Sequence, residues 1–313
     1  MSSSALAWLS HPDCLRHVIE PDHPESPRRL QAIHDRMVAS GFAGLLLQEP
    51  APRATREQLV RVHEPGHVDR LLALEGATAC VPVDADTAIC PDTLPAALRA
   101  AGAAVRGVDL VLEERAQLAF CAVRPPGHHA ERARAMGFCF FNNVAVGASH
   151  AMARGLSRIA ILDFDLHYGN GTADIFKGDG RVMLYSTYQH PLYPHWHAPP
   201  DAANLVDVPL PAQSGGTAFR DAVANHWLPR LQQQQPELIL VSAGFDGHLA
   251  DPLGDLRLVT EDFRWIGRVI RDVAAECCDG RVVATLEGGY DLDALARGVE
   301  AFLAPFLGEE LPL

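Results

Sequence analysis

An α/β fold, with a central and mostly parallel β-sheet flanked by helices on both faces, is what this chain of 313 residues predicts. Three observations predict it. Apolar runs of strand length alternate with longer segments of helical period, as in a sheet covered on both faces. No Pro/Gly/Ser-rich linker or internal repeat divides the chain, so residues 1–313 read as a single domain. Four of the five clearest strands end in polar residues and glycine, where an open parallel sheet binds its ligands.

The elements follow in order. Ser26 and Pro27 read as a cap and a first-turn proline that open a helix running to Ser40, where Gly41 ends it. Helical period recurs at 94–111, at 144–154 (closed by Gly155), and at 217–231, 261–276 and 292–303. The strands are predicted at 118–123, 158–164, 182–185, 238–242 and 282–286. The glutamine run 232–235 before Pro236 reads as a solvated helix end.

Composition excludes several function classes. Against 39 acidic residues stand 26 basic ones, a net charge of −13 on a chain that is 48% hydrophobic and 21% charged. That balance argues against disorder and, with no basic run, against a nucleic-acid groove. No apolar run approaches the roughly 20 residues of a membrane helix, and residues 1–10 lack the pattern of a secretory signal, so the chain reads as cytoplasmic with no membrane partner. The seven cysteines are odd in number, scattered and never spaced C-x-x-C. Reduced thiols are therefore expected, without a disulfide framework or a cysteine-type zinc site.

Chemistry gathers after the strands: Arg124-Pro125-Pro126-Gly127-His128-His129, Asp165-Leu166-His167, Ala243-Gly244-Phe245-Asp246 and Glu287-Gly288-Gly289-Tyr290. Asp165 and His167 are two apart, so an extended chain points both to one face, and Asp246 can add a third ligand. Such a set suits a catalytic zinc or iron(II) that keeps open positions. D-x-H alone is more often a hydrogen-bonded turn; the three other polar strand ends reverse that weighting. His128 and His129 suit general base and acid work, since imidazole titrates nearest neutrality. Tyr290, after two glycines, can turn inward and donate to an oxyanion.

At these residues the chain resembles the histone deacetylase superfamily, in the bacterial branch related to class II enzymes and often labelled acetoin utilisation deacetylases. The resemblance runs through HPESPRRL (23–30), RPPGHHAE (124–131), GFCFFNN (137–143), DLHYGNGT (165–172), SAGFD (242–246), DPLG (251–254) and LEGGYD (286–291). It implies an arginase-like α/β fold and a zinc held by Asp165, His167 and Asp246, with iron(II) an alternative, in an enzyme that hydrolyses N-acetyl amides. His129 would be the base, Tyr290 the oxyanion donor, Asp163 the partner of His128 and Asn170 that of His129. An asparagine there should leave His129 more readily neutral than a carboxylate would.

The same resemblance implies a potassium ion near Asp163, Asp165, His167, Ser186 and Thr187. It also implies a narrow tunnel walled by Gly137, Phe138, Tyr193 and Leu253, with Asp86 gripping substrate amides. Two features depart from the family pattern: Tyr168 stands where a second histidine is common, and the loop 195–200 replaces a glycine-rich stretch at the tunnel mouth. His195 and His197 in that loop read as exposed rather than as a second metal site. Acetyl-lysine side chains are the first substrate expectation and acetylpolyamines the second, although Leu253 stands where some polyamine-selective relatives carry a glutamate. A homodimer or homotetramer is compatible with the resemblance. Asp22, Asp86 or Asp201 at the tunnel mouth would recruit cationic amines.

Overall fold

The computed structural model describes residues 4–195 and 202–308. Its sheet has eight strands: β1 (Ser4–Ser10), β2 (Leu47–Pro50), β3 (Ala116–Cys121), β4 (Ile159–Asp163), β5 (Val182–Gln189), β6 (Leu205–Leu210), β7 (Leu238–Ala243) and β8 (Val282–Leu286). The spatial order is β2-β1-β3-β8-β7-β4-β5-β6. Every pairing in it is parallel. The α/β expectation is met.

The central strands β4, β7 and β8 are buried along their whole length, which is why they read as continuous apolar runs. Two of the three strands that the sequence reading did not name are the edges. β2 is short with alternate residues exposed, and β6 carries Asp207 and Pro209, so neither shows a long apolar run. The third, β1, is buried from Leu6 to Leu9.

The helices that matter most are α1 (Arg28–Ala39), α2 (Thr93–Leu112), α3 (Asn143–Ala153), α4 (Asn170–Phe176), α5 (Thr260–Cys277) and α6 (Leu292–Leu303). They cover both faces because successive strand residues point opposite ways. Phe120 of β3 meets Phe302 of α6, with ring centroids 6.5 Å apart. Its neighbours Ala119 and Cys121 turn instead to Gly107 of α2, where a larger residue would run into them and into Val283. The helix predicted at 217–231 is interrupted by a π turn, Val223–Trp227, and continues to Gln234, so most of the glutamine run is helical.

One expectation is corrected. Cys80 and Cys90 form a disulfide, S–S 2.04 Å. The spacing alone is not diagnostic; the pairing arises because the short antiparallel ladder of Val81–Pro82 with Ala88–Ile89 folds the loop back on itself. Cys14, Cys121, Cys139, Cys277 and Cys278 are free thiols, all buried except the half-buried Cys277.

Candidate active site

The topology places four sequence-distant strand ends side by side, since β3, β8, β7 and β4 are consecutive in the sheet. Beyond β4 and β7, Asp165, His167 and Asp246 converge with their ligand atoms all within 4.8 Å of one another. His167 Nδ1 lies 3.0 Å from Asp246 Oδ2 and 3.3 Å from Asp165 Oδ1. The remaining oxygens are held by the backbone: Gly288 N donates to Asp165 at 2.8 Å and Leu166 N to Asp246 at 2.9 Å. A side chain at Gly244 or Gly288 would collide with these carboxylates, so the close approach requires glycine.

The cluster could hold a cation. Burial pushes the Asp246 carboxyl up, and Asp165 beside it adds to the effect. Burial opposes charge on His167, but hydrogen bonds and charge from Asp165 and Asp246 outweigh it and raise its pKa to about 10. Two buried carboxylates facing one imidazole leave surplus negative charge that a divalent ion fits, with donors appropriate to zinc or iron(II).

Behind this cluster the adjacent imidazoles of His128 and His129 lie 4.1 Å apart, centroid to centroid. Their partners differ. His128 Nδ1 is 3.1 Å from Asp163 Oδ2, whereas His129 Nδ1 is 2.7 Å from Asn170 Oδ1. Burial disfavours charge on His128, yet Asp165 and Asp163 overcome it and lift its pKa to about 10. For His129, burial and then the His128 and His167 charges hold the pKa well below the ordinary value. One ring is set to hold a proton and its neighbour to stay neutral.

These groups open into a narrow cavity of about 240 Å³ lined by Asp86, His129, Gly137, Phe138, His167, Leu192, Tyr193, Leu253 and Tyr290. Tyr193 packs edge-on against His129 at 5.1 Å, and Phe138 against Tyr290 at 6.1 Å. Phe138 sits at φ 66°, a conformation uncommon outside glycine, fixed by its N–H donating to Thr87 Oγ1 at 2.9 Å. Burial pushes the Tyr290 phenol well above its usual range, so it stays protonated. The Arg29 guanidinium lies over that ring at 4.9 Å.

Every metal, catalytic and tunnel residue singled out from the sequence falls in this one region. Ser186 and Thr187 lie on β5, with Ser186 registered against Asp163, buried behind the cavity rather than lining it. Tyr168 is buried beside the site and its hydroxyl donates to Asp207 at 3.1 Å. Of the three mouth aspartates, Asp86 lines the cavity, Asp22 is exposed and absent from the lining, and Asp201 lies outside the described residues. His195 is exposed; His197 and the rest of the loop at 196–200 lie outside the described residues.

Several functional neighbours carried no assigned role in the sequence. Glu25 and Arg124 form a buried two-point ion pair at 2.5 and 2.6 Å. Arg29 joins them and donates to the backbone oxygens of Gly289 and Glu287 at 2.6 and 2.5 Å, fixing the turn that carries Tyr290. Asp251 accepts from Tyr290 N at 2.7 Å. Glu287 accepts from Gly127 N and His128 N at 2.7 and 3.1 Å, and burial raises its pKa to about 7. For Arg124 and Glu287 the available signal was a charge directly after an apolar strand.

Compared with known proteins, residues 23–306 match the family model described as the histone deacetylase domain. This chain belongs to the histone deacetylase family. A probable deacetylase of Archaeoglobus fulgidus is 36% identical over 292 residues, covering 90% of this chain and 80% of that one. The human polyamine deacetylase HDAC10 is 35% identical over 336 residues; this chain spans about half of it, the match covering 100% of this chain and 47% of HDAC10. The crystal structure of the HDA15 HD domain superposes with a TM-score of 0.92 at 30% identity, over 99% of this chain and 90% of that one. Among the described residues no helix is long and apolar enough to cross a membrane.

Proposed function

We propose that this family member is a zinc-dependent amidohydrolase that deacetylates N-acetylated primary amines, acetyl-lysine side chains first among them. The observation that carries the reading is convergence: one narrow, largely apolar cavity ends on a three-ligand cluster, a neutral imidazole and a protonated phenol. A linear acyl-amine chain suits the aromatic walls Phe138 and Tyr193.

Asp165, His167 and Asp246 would hold the zinc, which when bound supplies Lewis-acid polarisation of the acetyl carbonyl and of the attacking water. The chain's own residues supply the rest. His129, neutral and with Nδ1 occupied by Asn170, accepts the water's proton at Nε2 and returns one to the leaving amine. His128, kept protonated by Asp163, holds positive charge beside the developing anion. Tyr290 donates its phenolic hydrogen to the oxyanion. For potassium, Ser186 Oγ fits as an oxygen donor, being buried beside Asp163 with no hydrogen-bond partner among the described residues.

Zinc-loaded enzyme should release acetate from an acetyl-lysine peptide, and chelation should abolish this. His129→Ala and Tyr290→Phe should each lower kcat by about 10²-fold or more with the fold intact; unchanged turnover in both variants would sink the mechanism. Acetylpolyamine hydrolysis is the second reading, favoured by the likeness to HDAC10 and by Asp86 on the cavity wall. Turnover of acetylspermidine and acetylputrescine against the peptide, at equal concentration, separates the two.

A further inference from the structure

The Asn170 side chain presents a choice that its own chemistry leaves open. With its oxygen towards His129 it accepts from Nδ1–H, which leaves Nε2 as the basic nitrogen; with its NH₂ towards His129 it would donate to Nδ1, put the proton on Nε2 and leave the ring useless as a base. Something must decide which way the amide faces. Its Nδ2 lies 2.7 Å from Glu131 Oε1, with Met136 Sδ at 3.4 Å and the His129 carbonyl oxygen at 3.5 Å as weaker acceptors. The Glu131 carboxylate oxygen accepts from the amide nitrogen, which turns the amide oxygen towards His129, 2.7 Å from Nδ1. Asn170 is buried, so water offers no competing partner of equal reach.

Glu131 is itself held in place. Its carbonyl oxygen is 2.8 Å from Nδ1 of the buried His63, and its N–H donates to Arg134 O at 2.9 Å. His63 Nε2 in turn accepts from Asn142 N at 2.9 Å, immediately before α3. The ring of His129 is fixed on its other side by Gly137, at φ 57°, where any side chain would strike the imidazole.

We propose that Glu131 is a positioning residue that locks the Asn170 amide and thereby selects the Nδ1–H tautomer of His129. The inference deepens the deacetylase reading and rests on it for its effect on rate. It also separates two needs: an amide touches the imidazole, so no carboxylate bonds to Nδ1 of the base, while the carboxylate that orients the amide stands beyond Asn170.

The test compares Glu131→Gln, which keeps an oxygen acceptor for Asn170, with Glu131→Leu, which removes it. Glu131→Leu should lower kcat on an acetyl-lysine peptide by about tenfold or more while KM stays within about twofold; Glu131→Gln should recover most of the loss. Nitrogen-15 NMR of histidine-labelled protein, with His129 assigned by difference against His129→Gln, supplies the readout that a general loss of structure would not move. His129 in the wild type should show a protonated Nδ1 and a bare Nε2, and Glu131→Leu should show a mixture. A wild-type His129 protonated on Nε2 would overturn the proposal even if no variant folds, as would an unchanged tautomer or an unchanged kcat in Glu131→Leu. Wild-type enzyme without deacetylase activity but with the expected tautomers would instead tell against the functional reading and leave Glu131 its positioning role.

Discussion

Two buried charge clusters lie within one shell of each other and behave oppositely. Around Asp163, Asp165 and Asp246, three carboxylates face the imidazoles of His128 and His167, and burial pushes Asp163 and Asp246 up. Around Glu25, the charges close on themselves: Arg124 grips the carboxylate at two points, Arg29 adds a third contact, and surplus guanidinium hydrogens go to the carbonyls of Cys14, His17, Gly289 and Glu287. Burial would raise the Glu25 pKa, but Arg124, His17 and Arg29 outweigh it and hold it at about 2. Burial of charge is therefore not what marks a site. Surplus negative charge open to a cavity marks the first cluster; in the second, two guanidiniums share one carboxylate and spend their other hydrogens on backbone carbonyls, which marks it as the frame that holds the Tyr290 turn.

The largest expected difference comes from deleting one member of each cluster. Arg124→Ala leaves Glu25 buried with much of its compensation gone and should cost about 3–5 kcal/mol in denaturant unfolding. Asp246→Asn, measured beside it with chelator present, relieves like charge and should unfold no earlier than wild type while losing turnover and metal affinity. Equal destabilisation in the two variants would erase the contrast.

Acid should attack the frame next. Glu25, with its folded pKa depressed, contributes stability that is complete above the unfolded value of about 4.5 and is lost as pH falls towards 2. His17 and His63 are buried neutral, burial holding them at about 4 and about 3. Below pH 6.5 each of these two histidines favours the unfolded chain, by up to about 1.4 kcal/mol per pH unit, while Glu287 and Asp251, raised to about 7 by burial, take up protons in the fold first and oppose that loss. The histidine contribution is therefore read as a difference: in thermal melts between pH 7 and pH 4, His63→Gln should be less destabilised by acid than wild type, and parallel pH profiles for the two proteins contradict it.

A finer probe exchanges the partner of one imidazole. Asn170→Asp gives His129 the kind of carboxylate neighbour that His128 has, and the acid limb of the kcat/KM profile should move up by about one pH unit, with lower activity at neutrality. An unmoved limb would mean that His129 is not the group titrating there. The smallest effect is expected at the exposed pair of Arg56 and Asp69, 2.7 Å apart, where Arg56→Ala should leave the melting temperature within about one degree.

Much of this molecule was legible before folding. The strands β3, β4, β5, β7 and β8 announced themselves because buried parallel strands must be apolar throughout, and four of them carried their chemistry at their carboxyl ends. Asp165 and His167 could be paired as ligands from their spacing taken together with the three other polar strand ends. The edge strands β2 and β6 could not, since half-exposed edges lose the apolar signature. The Cys80–Cys90 bridge was missed because ten residues of separation carry no geometry until the ladder between them forms. The roles of Glu25, Arg29, Arg124 and Glu131 were hidden for a related reason: their partners lie tens to hundreds of residues away along the chain.

The sequence by itself determined the fold class, the family and the residue types available at each strand end, because these depend on local period, composition and motif. Only the tertiary structure decided that β3, β8, β7 and β4 are neighbours, that Asp246 reaches His167, and that His128 meets a carboxylate where His129 meets an amide. Electrostatic character is a property of distance and burial, and both come into being only when the chain closes.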